Sequence, residues 1–361
     1  MESRHEKTKL TKWVAGLCIA LFLISMAPLA APANTAVIRD NHGHTWAPTS
    51  ANLITAFKTL QTGSELWIPA GNYTITNANL YITKNNVKIH GAGTSTYIYF
   101  KNGGRIISGL YASSTSDDVR YRLGVNNLLL ENFRVSGYGC IETVLGDNTT
   151  LKGIMADHIL TMPDNIRPAA FRFILPTQDH TTNGLKVIRC KTYKTFDHGF
   201  QINGVAPNGY NTITNVLFDN CTASYAGYQY PGRPQDYKWN WSVGFDLGEG
   251  YNGCLLTEPS TKVQYCTADH AWECGFHMES NIQRTVTISH SRADYNGQKL
   301  VKYPKTTAKY YCSGFVAETG VTLNTCIANY NTNYGVMWRN SPVLIGITGV
   351  GNGHGLLSPK K

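Results

Sequence analysis

The segment LKVIRCKTYK at Leu185–Lys194, followed by GFQI at Gly199–Ile202, holds the pattern that decides the fold. Its first half is an aliphatic stretch that ends in Cys, and its second half is Gly, an aromatic residue, any residue and an aliphatic residue. The first half returns as VLFDNCTASY, KVQYCTADH, VTISHSRADYNG and VTLNTCIANYN, with Cys221, Cys266, Ser291 and Cys326 at the position of Cys190. The second half returns as GFDL, GFHM, GFVA and GVMW, which begin at Gly244, Gly275, Gly314 and Gly335.

Equivalent positions recur roughly every 25 to 45 residues, a period typical of stacked supersecondary units. Apolar residues within each unit alternate with period 2, so the units consist of short strands. The shortest steps suit one turn of a three-sided parallel solenoid, and longer steps add a loop that leaves the stack. The pattern predicts an all-β, single-stranded parallel β-helix with two inward ladders. One contains Phe200, Phe245, Phe276 and Phe315, and the other contains Cys190, Cys221, Cys266 and Cys326.

The N-terminal part carries a resemblance to a known class. LITAFKTLQTGSELWIPAGNYTI at Leu53–Ile75 and LYITKNNVKIHGAG at Leu80–Gly93 resemble the opening segment of right-handed β-helix proteins of the pectate-lyase-like class. The resemblance implies a helix that caps the open end of the solenoid, and Ser50 is a suitable N-cap residue for it. The sequence motifs of polygalacturonases are missing, so no catalytic residues of that family are assigned here.

Residues 1–33 have the features of a secretory signal peptide. Basic residues precede an apolar run at Trp13–Met26, and Ala31-Pro32-Ala33 offers a cleavage site. We therefore expect an exported or cell-surface protein with one β-helix domain at 34–361 and no membrane contact after cleavage. Because the chain carries a formal net charge of +9 and no nucleic-acid motif, an acidic polysaccharide is the expected partner, and nucleic acid is not.

After the predicted signal peptide, four cysteines lie off the repeat position, at Cys140, Cys254, Cys274 and Cys312. Exported proteins commonly form disulfides, and Cys274 and Cys312 both lie just before the Gly-aromatic phrase of neighbouring coils. The sequence therefore offers Cys274–Cys312 as the first disulfide to test.

The outer surface of one wall carries the polar residues that are best suited to catalysis. The residue after each aromatic should point outward, which predicts a row of Arg172, Gln201, Asp246, His277, Val316 and Met337. Two residues further on, a parallel row should contain Ile174, Asn203, Gly248, Glu279, Glu318 and Arg339. Acidic residues and a histidine in consecutive phrases predict a catalytic site on this wall.

Two reactions fit these residues. Asp246 and Glu279 should lie roughly 8 Å apart at Cα, a spacing compatible with an inverting glycosidase, while Glu279 and Glu318 suit a retaining pair. Alternatively, β-elimination of a polyuronate needs a base, which His277 or a loop lysine could supply, and a cation, which Arg292 or Arg339 could supply. Asp246, Glu279 and Glu318 could instead bind calcium.

Two insertions could contact a polysaccharide beside this wall. The segment YQYPGRPQDYKWNW at Tyr228–Trp241 supplies aromatic rings that can stack on sugars. A lysine-rich loop follows Ser291. With Arg172 and Gln201, the expected substrate-binding residues are Tyr230, Trp239, Trp241, Lys299 and Lys302.

The sequence as a whole predicts a secreted enzyme that cleaves an acidic polysaccharide, with a lyase slightly favoured by the basic composition. A glycoside hydrolase that uses Asp246, Glu279 and Glu318 is the alternative. A non-catalytic glycan-binding surface or adhesion protein is the third.

Overall fold

The computed structural model describes residues 37–112, 121–160, 169–176, 181–203, 211–228, 230, 242–249, 254–256, 261–278, 286–305 and 309–359. The predicted signal peptide lies outside these ranges. Within them, none of the helices combines the length and apolar composition that crossing a membrane requires.

Three sheets form the walls of a solenoid, and successive strands pass from the first sheet to the second and then to the third. The first sheet contains Ile38–Asp40, Thr45–Trp46, Glu65–Trp67, Lys88–His90, Leu129–Glu131, Thr149–Lys152, Thr181–Ile188, Asn211–Asp219, Cys254–Leu256, Thr261–Gln264, Val286–Ser289, Val321–Asn324 and Val343–Ile345. The second contains Gly71–Thr76, Thr96–Lys101, Arg134–Gly137, Met155–Ile159, Lys191–Thr195, Thr222–Ala226, Thr267–Asp269, Arg292–Asp294 and Ile327–Asn329. The third contains Leu80–Ile82, Ile106–Ser108, Ile141–Val144, Phe171–Ile174, Phe200–Asn203, Phe245–Glu249, Phe276–His277, Phe315–Ala317 and Val336–Trp338.

Pairing within the walls is parallel from the strand Glu65–Trp67 onward, as the repeat predicts. Antiparallel pairs occur where the chain enters the first sheet and in a separate pair of strands, Leu110–Ala112 with Tyr121–Leu123. Short 3-10 turns lie at Gly93–Ser95 and Lys309–Tyr311. The predicted three-sided parallel β-helix is confirmed.

Helix α1 (Ser50–Lys58) caps the first coil, and its Leu53 and Phe57 are buried in the core. Thr49 is the N-cap residue, because its side chain accepts the Asn52 N–H at 3.2 Å. The prediction that Ser50 is the cap is wrong by one position. Ser50 Oγ instead accepts the backbone N–H of Thr74 at 2.9 Å, which attaches the helix to the first strand of the second sheet.

The predicted aromatic ladder runs through the interior of the third wall. Phe171, Phe200, Phe245, Phe276 and Phe315 are fully buried or nearly so, and their rings are stacked with centroids 4.7–4.9 Å apart. These separations equal the spacing of neighbouring strands, so each ring lies directly over the ring of the next coil. The ladder therefore supports the register of the third wall from Phe171 to Phe315.

Glycine begins each Gly-aromatic phrase because the backbones of neighbouring coils approach closely there. A Cβ on Gly199 would lie 2.7 Å from the carbonyl oxygen of Gly244, and a Cβ on Gly244 would lie 2.6 Å from that of Gly275. Any side chain at these positions would push the coils apart.

The predicted thiol ladder also faces the interior, where Cys190, Cys221, Cys266 and Cys326 are buried. The predicted Cys274–Cys312 disulfide is not formed in the structure. Cys274 packs as a small apolar residue against Val243, Val316 and Met337. Burial raises the pKa of the Cys312 thiol to about 12, which keeps it in the unreactive neutral form.

Candidate active site

The outer face of the third wall carries an uninterrupted row of chemically active residues. Strand register pairs Arg172 with Gln201, Gln201 with Asp246, and Asp246 with His277. Val316 and Met337 continue the row, as predicted. The register also extends the row backward to Glu142, which pairs with Arg172.

The second predicted row is only partly regular. A β-bulge after Ile202 pairs Asn203 with Glu249, so Gly248 does not occupy the predicted position. Glu279 lies outside the described residues, which leaves the predicted Asp246–Glu279 spacing untested. Glu318 and Arg339 are neighbours across one coil, because the Arg339 N–H donates to the carbonyl oxygen of Ala317.

Asp246 and His277 form a covered acid–imidazole pair. His277 Nδ1 lies 3.2 Å from Asp246 Oδ1, and the two residues are 7% and 1% exposed. A carboxylate at this position favours the tautomer that carries its proton on Nδ1. The same tautomer leaves Nε2 as the nitrogen that can take a proton.

A second histidine, His198, faces the same carboxylate. The backbone N–H of Val243 donates to His198 Nδ1 at 3.2 Å, so the imidazole proton belongs on Nε2. His198 Nε2 lies 3.8 Å from Asp246 Oδ2 and 3.6 Å from Asp197 Oδ1. Each oxygen of Asp246 therefore faces a different imidazole, and both contacts hold the carboxylate in one orientation.

A phenol and a guanidinium continue this network beyond His277. The ring of Tyr311 meets that of His277 edge to face, with centroids 5.7 Å apart. Arg339 Nη1 donates to the Tyr311 hydroxyl at 3.2 Å and to Glu318 Oε1 at 3.0 Å. Asp246, His277, Tyr311, Arg339 and Glu318 thus form one continuous chain of contacts.

An apolar cluster and a buried ion pair border this chain. Val243, Cys274, Val316 and Met337 pack together on the outer face with Tyr311 against them, which limits water around the histidine. Lys299, in helix α2 (Gln298–Lys302), donates to Glu273 Oε1 at 2.5 Å, and both side chains are almost fully buried. The prediction that Lys299 binds substrate is therefore wrong, because its ammonium is committed to Glu273.

Other predicted site residues lie elsewhere. Arg292 belongs to the second sheet, where its guanidinium pairs with Asp294, so it is not on the predicted wall. Its position in the repeat, after Ser291, is the start of a second-sheet strand. Lys302 is exposed at the end of helix α2, near the ring of Tyr303.

Of the aromatic insertion, the structure describes Tyr228 and Tyr230. The Tyr230 hydroxyl donates to the carbonyl oxygen of Lys194, and its ring packs against Tyr228, so it lies beside the second wall. Trp239 and Trp241 lie outside the described residues. Gln201 is covered, with 5% exposure, and Arg172 contacts Glu142.

The predicted calcium site at Asp246, Glu279 and Glu318 stays a prediction, because Glu279 lies outside the described residues. Calcium takes several oxygen ligands that are not already neutralised by protein cations. Asp246 faces two imidazoles and Glu318 faces Arg339, while Glu279 is not described. Within the described ranges, no group of three or more His, Cys, Asp or Glu residues is arranged to hold a metal ion.

A family model described as the right-handed β-helix region matches residues 178–347. The fold is a right-handed β-helix. This confirms the predicted right-handed β-helix fold. A search of curated protein sequences finds no match.

Three solved structures are distantly similar to this β-helix. The complex of alginate lyase AlyF-OU02 with G6 is 13% identical, with a TM-score of 0.42, and the match covers 85% of this chain but only 60% of that one. An alginate lyase from Paenibacillus sp. str. FPU-7 is 12% identical, with a TM-score of 0.40, and the match covers 87% of this chain and 98% of that one. The A-module of the Azotobacter vinelandii mannuronan C-5 epimerase AlgE4 is 12% identical, with a TM-score of 0.30, and the match covers 86% of this chain and 94% of that one. Likeness this distant does not decide the activity of the β-helix.

Three residues of the site were not predicted as part of it: His198, Tyr311 and Glu142. His198 comes directly before Gly199 of a repeat phrase, and Glu142 lies at the outward position of a coil whose phrase lacks the Gly-aromatic signature. These two could have been found by extending the register. Tyr311 comes from a 3-10 turn within an insertion, where repeat spacing gives no information.

Proposed function

We propose that the protein is an exported enzyme that cleaves an acidic polysaccharide by β-elimination on the outer face of the third wall. The observation that carries this proposal is the contact chain from Asp246 through His277 and Tyr311 to Arg339. It brings a base, an acid and a cation together on one covered surface.

β-Elimination of a polyuronate moves two protons and breaks the C5–H and C4–O bonds. A base removes the proton at C5, and the electron pair of that C–H bond forms the C4=C5 double bond. The C4–O bond then breaks, and its oxygen takes a proton from an acid. Because negative charge builds up on the C6 carboxylate during the first transfer, a nearby cation lowers the barrier.

His277 supplies the base. Asp246 accepts the Nδ1 proton and stabilises the imidazolium that forms when Nε2 removes the C5 proton. His198 holds the other oxygen of Asp246, so the carboxylate cannot rotate away from His277. His198 and Asp246 are therefore positioning residues in this scheme.

Arg339 and Tyr311 supply the remaining two functions. The Arg339 guanidinium can neutralise the substrate carboxylate, since its side chain is 39% exposed while its partner Glu318 is covered. The Tyr311 hydroxyl accepts a hydrogen bond from Arg339, which stabilises a phenolate and makes the phenol a better proton donor to the departing oxygen. Proton exchange with water after product release restores both groups.

The described carboxylates suit a hydrolase less well. A glycosidase needs one carboxyl group that stays protonated as an acid and a second that acts as base or nucleophile. Asp246 lies between two imidazoles and Glu318 accepts a hydrogen bond from Arg339, so both carboxyl groups are covered and engaged by protein groups. An elimination route needs neither of them protonated.

Incubation with a panel of polyuronates and glycosaminoglycans tests the proposal. A lyase produces an unsaturated sugar that absorbs ultraviolet light, and we expect this absorbance to rise with at least one acidic polysaccharide. Reducing ends without absorbance would identify a hydrolase, and binding without either product would identify a glycan-binding protein. Because the proposed route uses the Arg339 guanidinium as its cation, we expect the rate to be unchanged by a chelator.

A further inference from the structure

The outer face of the second wall carries a basic and aromatic patch that the proposed reaction does not use. Its side chains project from three neighbouring strands, and each of them is exposed or half-buried. The second-wall patch consists of Arg134, His158, Lys191, Tyr193 and Lys194. Strand register places Arg134 and Lys191 two coils apart, about 10 Å. The patch is therefore a compact surface that a ligand can reach from solvent.

An irregularity of the strands brings two of these side chains to the surface. Strand pairing skips His158 and Lys194, which therefore occupy the same position in neighbouring coils. Both have a φ of 52°, in the left-handed region that residues with side chains seldom adopt. His158 is an extra residue relative to the preceding strand, and a β-bulge of this kind changes the direction of a side chain. The repeated irregularity places an imidazole beside an ammonium on the outer surface.

The charges of the second-wall patch do not cancel. The Arg134 guanidinium donates to both oxygens of the Asp157 carboxylate, at 2.7 and 2.6 Å, and Asp157 is covered. These two charges neutralise each other. The ammonium groups of Lys191 and Lys194 form no ion pair with any described residue. The patch therefore presents two uncompensated positive charges.

Acidic residues of the same wall lie further along the solenoid. Asp269 is two coils beyond Tyr193, and Asp294 is three coils beyond it. Asp269 faces His270 Nδ1 at 2.8 Å, and Asp294 pairs with Arg292. Neither carboxylate contacts the two lysines, so the positive charge is confined to the coils of the patch.

Aromatic rings lie directly beside the cations. Lys194 Nζ is 5.2 Å from the centroid of the Tyr193 ring and 4.8 Å from that of Tyr228. The His158 ring meets Tyr193 edge to face, with centroids 5.5 Å apart, and its Nδ1 faces Asp157 Oδ2 at 2.7 Å. Cation–π contacts orient an ammonium and leave its charge in place. The patch thus combines oriented cations with rings and a hydrogen-bonding imidazole.

We propose that the second-wall patch binds an anionic polysaccharide at a site separate from the candidate active site. Its two uncompensated ammonium groups complement the carboxylates of a uronate polymer, and its imidazole and rings can contact sugar hydroxyls and apolar sugar faces. This inference rests on the proposed function for the identity of the polymer, and it adds a non-catalytic binding site on a second wall. A polymer held there stays close to the third wall between cleavage events.

Calorimetric binding of polygalacturonate, alginate and hyaluronate tests the site. The measurements use the His277→Asn background, so that the polymer stays intact. We expect the double variant Lys191→Gln with Lys194→Gln to raise Kd for the bound polymer about tenfold, because both uncompensated charges are lost. The control variant, Lys186→Gln with Lys262→Gln, removes two exposed ammonium groups from the first wall. It has the same net charge and should change Kd less than about twofold, because salt screens distant charges.

Kinetics with His277 intact separate this site from the reaction. For the Lys191→Gln and Lys194→Gln double variant, we expect KM to rise for the polymer and kcat/KM to stay unchanged for a trisaccharide. Binding that depends on the two lysines would support the site even if no polymer were cleaved.

Three results would overturn the site and leave the proposed function in place. The first is an unchanged Kd in the double variant of Lys191 and Lys194, or no polymer binding at all in the His277→Asn background. The second is an equal loss in the control of Lys186 and Lys262, which would show an effect of net charge alone. The third is equally tight binding of double-stranded DNA, which would show that the patch attracts any polyanion.

Discussion

His198 and His277 contact the same carboxylate through different ring nitrogens. His277 contacts Asp246 through Nδ1. In His198, Nδ1 accepts the backbone N–H of Val243, so Nε2 is the nitrogen that faces Asp246. The two imidazoles are therefore not equivalent. In the proposed scheme Nε2 of His277 takes the proton, while His198 faces Asp246 through its own Nε2.

Tyr311 is the residue whose role separates elimination from simple binding. We expect Tyr311→Phe to lower kcat about 10²- to 10⁴-fold, because the departing oxygen loses its proton donor. KM should change little, since the ring and its contact with His277 are kept. Steady-state kinetics on the preferred polyuronate measure both parameters. A rise in KM with kcat unchanged would show that Tyr311 only binds substrate.

The buried pair of Glu273 and Lys299 predicts a pH-dependent stability. Burial raises the pKa of Glu273 above its ordinary value, although Lys299 acts in the opposite direction. Lys299→Met leaves a buried, unpaired carboxylate, so we expect unfolding free energy to fall by about 3–5 kcal/mol near neutral pH. In this variant the pKa of Glu273 in the folded state is raised further, so the folded protein binds the proton more tightly than the unfolded chain does. The variant therefore regains stability as pH falls toward the pKa that Glu273 has in the unfolded chain.

Urea denaturation measures this effect. The free energy of unfolding of Lys299→Met is compared with that of the wild type at neutral pH and again at mildly acidic pH. The double variant Glu273→Gln with Lys299→Met is the control and should lose less stability than the single variant at neutral pH. An equal loss for Lys299→Met at both pH values would contradict the assignment of Glu273 as its partner.

At the level of the strand and the ladder, the Gly-aromatic phrase determines the third wall. We expect Phe245→Ala to lower the unfolding free energy by about 3–5 kcal/mol, because it removes a ring stacked between two others in a fully buried position. Phe245→Leu fills more of the space and should cost less. Chemical denaturation of both variants measures the difference, and a loss below about 1 kcal/mol for Phe245→Ala would show that the ladder does not stabilise the wall.

The repeat predicted most of this wall because a period of two fixes which side chains face inward once register is known. It predicted the Phe and Cys ladders and the outer row from Arg172 to Met337. It did not predict the bulge after Ile202, since one extra residue changes neither composition nor alternation elsewhere. Arg292 was offered as a cation for the site without a place in the row, and its repeat position after Ser291 puts it in the second sheet instead.

At the scale of the whole molecule, the solenoid converts distant sequence positions into neighbours. His198, Asp246 and His277 come from three coils, and Tyr311 reaches them from an insertion. Sequence spacing predicted the coils, but insertions follow no repeat, so the contact of Tyr311 with Arg339 and the burial of Lys299 could only be found in three dimensions. Stacking thus brings the candidate catalytic groups together on one face.

The central claim is that the Asp–His pair on the third wall performs the chemistry, and a comparison of two histidine variants tests it most directly. His270 forms a similar pair with Asp269, Nδ1 to Oδ1 at 2.8 Å, but on the second wall. Formation of the unsaturated product is followed by its absorbance for His277→Asn and His270→Asn, with thermal stability measured alongside. The structure predicts that His277→Asn loses at least 99% of the rate while remaining folded and that His270→Asn keeps it. Retention of the rate by folded His277→Asn would contradict the claim.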